Sequence, residues 1–247
     1  MFKLGCLAVA GCGLAVLAHS EPSKFEALKT WVCRVFRFDP KVYQRLVGVR
    51  EGHQQMAGSR LMIADLQAQT VSELADCGAC WSPAVVGNRI FVVKEDGLWE
   101  AKAGSPLRRA VAADGIEMIL GGFHGDASLI VLKTGPSQES CPHKLALIDL
   151  ASGKLEAPPD GAPECLEETD VGALARPGTL RGNLALRTTS QGSGARRLLI
   201  EELASGDAPG GGRRRALLPW MDAKDDGIDR FDAVWSDDTH VVFLEKQ

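Results

Sequence analysis

Short apolar segments that end in an acidic residue and a leucine recur along the chain, at 61–66, 145–150 and 198–203. In the last two, a turn containing Ser-Gly follows directly. From residue 42 onward the apolar positions alternate with a period of two, which is typical of β-strands with one buried face. A unit that recurs every 40 to 55 residues or so cannot bury its apolar face alone and must stack on its neighbours. The pattern predicts an all-β fold of repeated antiparallel sheets.

Turn signals such as Gly87-Asn88, Asp96-Gly97 and Ser152-Gly153 divide this part of the chain into short strands. No helix is predicted within it. The predicted strands are 44–50, 59–66, 70–76, 78–84, 89–95, 97–102, 107–112, 116–122, 128–134, 143–150, 154–158, 171–175, 183–188, 195–203, 213–218, 231–235 and 240–246.

Three sets of four strands span 78–113, 116–159 and 171–219, and the two ends of the chain carry complementary halves of a further set. Strands 231–235 and 240–246 would be completed by 59–66 and 70–76, which would leave no open sheet edge. We therefore expect Phe243 and Ile63 to lie on paired strands. A small ring of four sheets, an open partial array and a piece of a longer chain are all compatible with this count.

A different period marks residues 21–42. Apolar residues recur there at spacings of three and four, which favours an amphipathic helix from about Ser23, a candidate N-cap, with Pro40 following its end. The apolar residues are Phe25, Leu28, Val32, Val35 and Phe36. Such a helix packs on the edge or end of the β domain, or, as the alternative, lies on a membrane surface.

The first 20 residues have the pattern of an export signal: Lys3, an apolar run over 4–18, and small residues at Ala18 and Ser20 before a cleavage point. Two alternatives are a lipid anchor on Cys12, in a sequence similar to a lipobox, and an uncleaved membrane anchor. The expected organisation is a signal peptide at 1–20, a helix and linker at 21–42 and the β domain at 43–247. The expected location is the periplasm or the extracellular space, with membrane contact only through an uncleaved or lipidated N-terminus.

Composition indicates one globular domain: the chain has 247 residues, 45% of them hydrophobic and 24% charged. The formal net charge is −4, so no net positive field would attract a nucleic acid, and none is expected as a partner.

Cleavage after residue 20 would leave five cysteines, an odd number. The pairs expected in an oxidising compartment are Cys77 with Cys80 and Cys141 with Cys165, with Cys33 free or joined to another molecule. The C-x-x-C at Cys77, followed by Trp81, is similar to a thioredoxin redox site, but it falls between two predicted strands instead of at a helix N-terminus. A redox site and half of a zinc site are the alternatives to a disulfide there.

Two motifs resemble the blades of TolB-type β-propellers, a WD-like repeat family. One is Trp-Ser before a strand, at Trp81-Ser82-Pro83 and at Trp235-Ser236-Asp237, and the other is the Asp-Leu-x-Ser-Gly-Lys turn within 147–154. The resemblance implies a propeller-like array of about four to five four-stranded blades, complete or incomplete, in a periplasmic protein. It also implies that Trp81 and Trp235 start equivalent blades, where each should be buried between neighbouring sheets.

Polar residues with potential chemistry are few. His124 and Asp126 lie in a predicted loop between blades, and Asp226 lies in an acidic turn that resembles a calcium loop but has Lys224 at a ligand position. No motif for a catalytic elbow, a nucleotide or a cofactor is present, so no cofactor is expected.

Two functional interpretations follow. The first is a non-catalytic, exported interaction module that binds a protein or small ligand on the loop face of the propeller. The alternative is a small propeller enzyme, a hydrolase or lyase, with His124, Asp126 and Asp226 at the mouth of a central tunnel.

Overall fold

The fold is described from a computed structural model for residues 24–44, 56–172, 174–190, 195–203, 213–222 and 227–246. The predicted signal peptide and most of the predicted strand 44–50 lie outside these residues. Within them the helices are α1 (Lys24–Phe36), α2 (Pro40–Gln44), α3 (Glu168–Gly172), a 3₁₀ turn (Pro177–Thr179) and α4 (Pro219–Asp222). No helix in these ranges is long and apolar enough to cross a membrane.

Antiparallel strands make up most of the described chain. They are β1 (Met56–Asp65), β2 (Thr70–Val86), β3 (Arg89–Lys94), β4 (Gly97–Ala101), β5 (Arg108–Ala112), β6 (Ile116–Phe123), β7 (Ser128–Ser137), β8 (Cys141–Asp149), β9 (Leu155–Glu156), β10 (Leu180–Arg181), β11 (Leu184–Ser190), β12 (Arg196–Glu202), β13 (Arg213–Ala216), β14 (Asp229–Trp235) and β15 (His240–Lys246).

These strands form four groups of four. Sheet A contains β14, β15, β1 and the first part of β2, and sheet B contains the second part of β2 followed by β3, β4 and β5. Sheets A and B are continuous through the long strand β2. Sheet C contains β6 to β9 and sheet D contains β10 to β13. Each group is antiparallel, as the period-two pattern predicts, and sheets B, C and D are meanders of consecutive strands.

The predicted pairing of the two chain ends is confirmed. Strand β1 pairs with β15, with Met62 opposite Phe243 and Ile63 opposite Val242. Sheet A is therefore built from both ends of the described chain. This pairing covers the edges that β1 and β15 would otherwise expose.

Four apolar clusters lie between the sheets. One joins sheets A and B, a second joins B and C, and a third joins A and D. The fourth lies between sheets C and D and includes α1, which inserts Leu28, Trp31 and Val32 there. Each sheet therefore packs its apolar faces on two neighbours, which removes far more apolar surface from water than a sheet alone could.

The predicted helix at the start of the domain is present as α1, and its apolar face is buried against the β domain. Nearby, the α2 residue Tyr43 donates a hydrogen bond of 2.8 Å to the carbonyl of Ala175. These contacts agree with the interpretation of a helix packed on the domain edge.

Three sequence predictions about strands are wrong. The predicted strand 171–175 is not formed: positions 171 and 172 end the helix α3, and 174–175 lie outside helices and strands. In α3 the Asp170 carboxylate accepts a hydrogen bond of 3.0 Å from the Glu167 backbone N–H. This is the reciprocal half of a capping box, a local signal that a period-two count overlooks. The predicted strands 70–76 and 78–84 form one strand of 17 residues, because Gly78 produces a bulge instead of a turn.

The third error concerns the two Trp-Ser motifs, which do not occupy equivalent places. Trp81 starts the part of β2 that pairs with β3 and lies opposite Val93, whereas Trp235 ends β14 and lies opposite Val241. Phe231, opposite Leu244, corresponds to Trp81 by register. Both tryptophans are half-buried at sheet boundaries, instead of fully buried.

Candidate functional site

The first strands of the four sheets run side by side in the same direction. Successive contacts between neighbouring first strands show this. The Ser82 hydroxyl lies next to Ile119, and later in both strands Gly87 faces Asp126. In the other half of the molecule Arg176 contacts Asp232, and further along Arg181 contacts Asp237. The hairpin turns that follow these strands therefore open at one end of the molecule.

We call this end the hairpin face and define it by the turns 87–88, 124–127, 182–183 and 236–239. Gly87 has a φ of +60°, and a side chain there would overlap the Asp126 carboxylate. Glycine therefore lets the turns of sheets B and C meet. Arg181 bonds Asp237 and Asp238 across sheets D and A. The turns of sheets B and C therefore adjoin each other, as do the turns of sheets D and A, and each pair forms one polar surface.

A cavity of about 180 Å³ lies between the first strands. Sheets A, B and C contribute to its lining together with the segment 176–178 that leads into sheet D, and Phe36 of α1 lines one side. The Phe36 ring lies directly on Gly121, where a Cβ atom would come within 2.7 Å of the ring. The close approach of α1 to the sheet therefore depends on glycine at this position.

One buried ion pair reaches across this centre. The Arg176 guanidinium, in a residue 2% exposed, contacts the Asp232 carboxylate at 2.7 Å, and its other terminal nitrogen donates to the Pro83 carbonyl at 3.2 Å. Asp232 also accepts a hydrogen bond of 2.9 Å from the Ser82 backbone N–H. The Ser82 hydroxyl in turn accepts one of 2.9 Å from the Ile119 N–H. These contacts connect sheets A, B and C with the segment that leads into sheet D, and we call the set of Ser82, Arg176 and Asp232 the axial network.

The backbone at the axial network has an uncommon conformation. Ser82 and Asp232 have φ angles of +48° and +58°, and each lies within a bulge of its first strand. Non-glycine residues in this region cost about 1–3 kcal/mol and persist only where surrounding contacts hold them. Here the bulges direct the Asp232 carboxylate and the Ser82 hydroxyl toward the neighbouring sheets.

The predicted site residues are only partly brought together. His124 and Asp126 are exposed on the turn between β6 and β7, with φ angles of +53° and +77°. The His124 ring contacts Phe123 edge to face, with 4.0 Å between ring centroids. Asp226 lies outside the described residues. The structure therefore places His124 and Asp126 on the hairpin face, away from the axial network.

A second histidine stands beside the turn 236–239. His240 Nδ1 lies 2.9 Å from the Asp237 carboxylate, and its Nε2 lies 3.6 Å from Asp65. Backbone hydrogen bonds from Thr239, with further bonds from His240, lower the pKa of Asp237 to about 2. Asp237 is thus ionised at neutral pH and adds negative charge to the hairpin face.

The cysteines pair as the sequence favours. Cys77 bonds Cys80 within β2, and Cys141 bonds Cys165 across the outer edge of sheet C. Cys33 is free and buried on α1, where burial raises the pKa of its thiol. Cys77 and Cys80 are both buried in the cluster between sheets A and B, so their bond lies inside the packing of β2.

His143 on β8 joins two acidic residues from different elements. Its Nδ1 lies 2.6 Å from Glu117 on β6, and its Nε2 lies 2.8 Å from Glu168 on α3. Burial lowers the pKa of His143, but the hydrogen bonds to Glu168 and Glu117 outweigh it and the pKa is raised. The carboxylates sit at opposite ring nitrogens, and the described residues contain no group of three side chains that could hold a metal ion. This arrangement stabilises a charged imidazolium that connects α3 to sheet C.

We expect the stability of the protein to fall as pH rises from below the ordinary histidine pKa of about 6.5 to above the raised pKa of His143, because His143 loses its proton over that range. Its folded-state pKa is raised, so its contribution is complete below the unfolded-state pKa and is lost as pH rises through the folded-state value. Urea unfolding measured across this range should show the decline, and His143→Gln should flatten it. The matched control is His124→Gln on the exposed turn, which should retain the decline. An unchanged decline in His143→Gln would contradict the assignment.

Sequence reasoning missed the residues with the most extensive polar contacts. Arg176, Asp232 and Glu117 belong to no recognised motif, and the ion pairs of Arg176 with Asp232 and of Glu117 with His143 join residues 56 and 26 positions apart in the chain. The sequence contained one signal for the axial network. Ser82 and Asp232 interrupt the apolar alternation of the first strands of sheets B and A. That irregularity is typical of a bulge with a polar side chain.

Comparison with known proteins assigns the chain to no family. No family model matches it, and no curated protein matches it. The resemblance of its short motifs to TolB-type propellers therefore stays a prediction from the sequence.

Proposed function

We propose that the four sheets are the blades of a small β-propeller similar to the TolB type. The support is the cyclic order of the apolar clusters, which link A to B, B to C, C to D through α1, and D to A. First strands that run in parallel around a common cavity also suit this arrangement. A blade assembled from both chain ends protects its edges, as propellers require.

We further propose that the protein is a non-catalytic interaction module that binds a partner on the hairpin face. The observation that carries the proposal is the juxtaposition of exposed polar turns there, with Gly87 against Asp126 and Arg181 against Asp237. At the centre of the molecule the polar side chains of Arg176 and Asp232 are instead buried in contacts between sheets. Loops on a rigid scaffold are where proteins commonly place binding residues.

The proposed location is the periplasm or the extracellular space. The support is the signal-like pattern of residues 1–20 together with the two disulfides, which form and persist in oxidising compartments. The enzyme alternative would require His124 and Asp126 to converge with a third group at the centre. Both are exposed on a turn, which favours the interaction module.

Site-specific photo-crosslinking tests the interaction proposal. A photoreactive amino acid at His124 should yield a discrete covalent adduct in the organism that produces the chain, because this position lies on the proposed docking surface. Asp126→Lys, added to the same protein, should abolish the adduct by reversing a charge beside the crosslinker. The measurement is a shifted band that mass spectrometry identifies.

The matched control places the photoreactive residue at Glu139, exposed on the turn at the other end of sheet C. We expect no discrete adduct from that position. The same adduct from both positions, or none from His124, would contradict docking on the hairpin face.

A further inference from the structure

A second cavity, of about 430 Å³, lies at the outer edge of sheet C, across the sheet from strand β6, which contacts the axial network. It lies between β8 and the segment 157–164 that follows β9. Its size falls within the range of small-ligand sites. The lining residues that matter for its chemistry are Lys133, Lys144, Leu155, Glu156, Pro158 and Glu164.

The cavity exists because the edge of the sheet is only partly paired. The pairing of β8 with β9 ends at Leu147 and Glu156, and the next contact along the edge is the bridge between His143 and Leu166. Leu145 lies between these points. Continuing the register would place Pro158 opposite it, and proline has no N–H to donate. The segment 157–164 therefore leaves the sheet and opens a gap beside Leu145.

The outer wall of this gap is fixed in place from two sides. Trp31 of α1 donates to the Pro159 carbonyl at 3.2 Å, and Arg34 donates to the Asp160 carbonyl. At its other end the disulfide between Cys141 and Cys165 joins the segment to β8. A wall held in this way needs little ordering when a ligand enters, and this lowers the cost of binding.

The two positive charges in the cavity are placed where they lower the stability of the sheet. Lys133 and Lys144 lie directly opposite each other on β7 and β8, so both side chains project from the same face. Like charges opposite each other destabilise a strand pair. Among the described residues, no ion pair involves either lysine, and Glu156 and Glu164 on the opposite wall form none with them. An anion between the two ammonium groups would remove the repulsion.

The other lining residues would contact parts of a ligand besides its negative charge. Leu155 is a large apolar residue that is 43% exposed, and Pro158 and Pro163 extend the apolar surface beside it. Leu145 offers main-chain polar groups at the same edge. A ligand that matches all three features carries a carboxylate, an apolar side chain and an amide.

We propose that this cavity binds a short peptide through a carboxylate held by Lys133 and Lys144. The apolar side chain of the peptide packs on Leu155 and Pro158, and its amide pairs with the main chain at Leu145. A peptide C-terminus and an acidic side chain present the same carboxylate chemistry. This site is separate from the hairpin face and does not depend on its proposed function.

Three probes test the site by isothermal titration calorimetry on the full mature chain: acetyl-Leu-Leu with a free carboxylate, its C-terminal amide, and acetyl-Asp-Leu amide. We expect a carboxylate probe to bind and the uncharged amide not to bind; the free C-terminus and the aspartate probe distinguish the two sources. Lys133→Gln and Lys144→Gln should each weaken binding by about tenfold or more, because each removes a charge-assisted hydrogen bond. The control Lys102→Gln, at an exposed position directly after β4, should bind normally.

Thermal unfolding without ligand separates a binding role from a structural one. Because either substitution removes a repulsion, Lys133→Gln and Lys144→Gln should melt at the same temperature as the unmodified protein or higher. A lower melting temperature in both variants would show that the lysines hold the sheet together, and would overturn the proposal. Failure of both carboxylate probes to bind, equal binding of the uncharged amide, or unchanged binding in both lysine variants would also overturn it.

Discussion

Asp232→Asn is expected to destabilise the protein by about 3–5 kcal/mol, because it leaves the charge of Arg176 buried without its carboxylate. Asparagine keeps the shape of the side chain and tolerates the left-handed backbone at this position, so the variant isolates the loss of charge. The melting temperature should fall by about 10 °C or more. Urea unfolding and thermal denaturation measure both quantities.

Two further variants sharpen this experiment. Combining Asp232→Asn with Arg176→Met removes both charges and should cost less than the sum of the single substitutions, since no uncompensated charge remains. Asp96→Asn breaks the exposed pair with Arg109, in which both side chains are 49% exposed, and should cost only about 0–1 kcal/mol. Equal losses for Asp96→Asn and Asp232→Asn would refute the role assigned to the axial network.

Trp31→Ala is expected to cost about 3–5 kcal/mol. The Trp31 side chain is 2% exposed in the cluster between sheets C and D, and its indole N–H donates a hydrogen bond to the Pro159 carbonyl. Its removal leaves a cavity that α1 cannot fill without moving. The free energy of unfolding in urea measures the loss.

Trp99→Ala is the matched control, since Trp99 is half-buried on sheet B and should lose clearly less stability. If α1 were a membrane-surface helix, Trp31→Ala would leave the stability of the isolated protein unchanged and would instead weaken vesicle binding. That outcome would contradict the packing of α1 described above.

Much of the β framework could be predicted from local pattern. Alternation with a period of two located most strands within a few residues, because each strand has one face that must be buried. The incomplete sets of strands at the two chain ends were enough to predict that β15 pairs with β1, since an unpaired edge is unfavourable. The helical spacing before residue 40 likewise predicted α1.

Local pattern was misleading where tertiary contacts changed its meaning. Apolar residues near Val171 suggested a strand, but the capping contact between Asp170 and Glu167 starts a helix there. The repeated Trp-Ser dipeptide suggested equivalent positions, but the register of β14 with β15 places Trp235 near the turn. A dipeptide carries too little information to fix a register that the buried face of the whole strand decides.

The amino-acid sequence by itself determined that the fold is mostly β, where most strands lie and that β1 pairs with β15, because these follow from which side chains avoid water. Only the tertiary structure decided where polar groups meet. Arg176 pairs with Asp232 of sheet A, His143 joins Glu117 of its own sheet to Glu168 of α3, and Lys133 lies opposite Lys144 on the neighbouring strand, because folding brings these segments together. Such contacts depend on the direction of each side chain after packing, which no local period encodes.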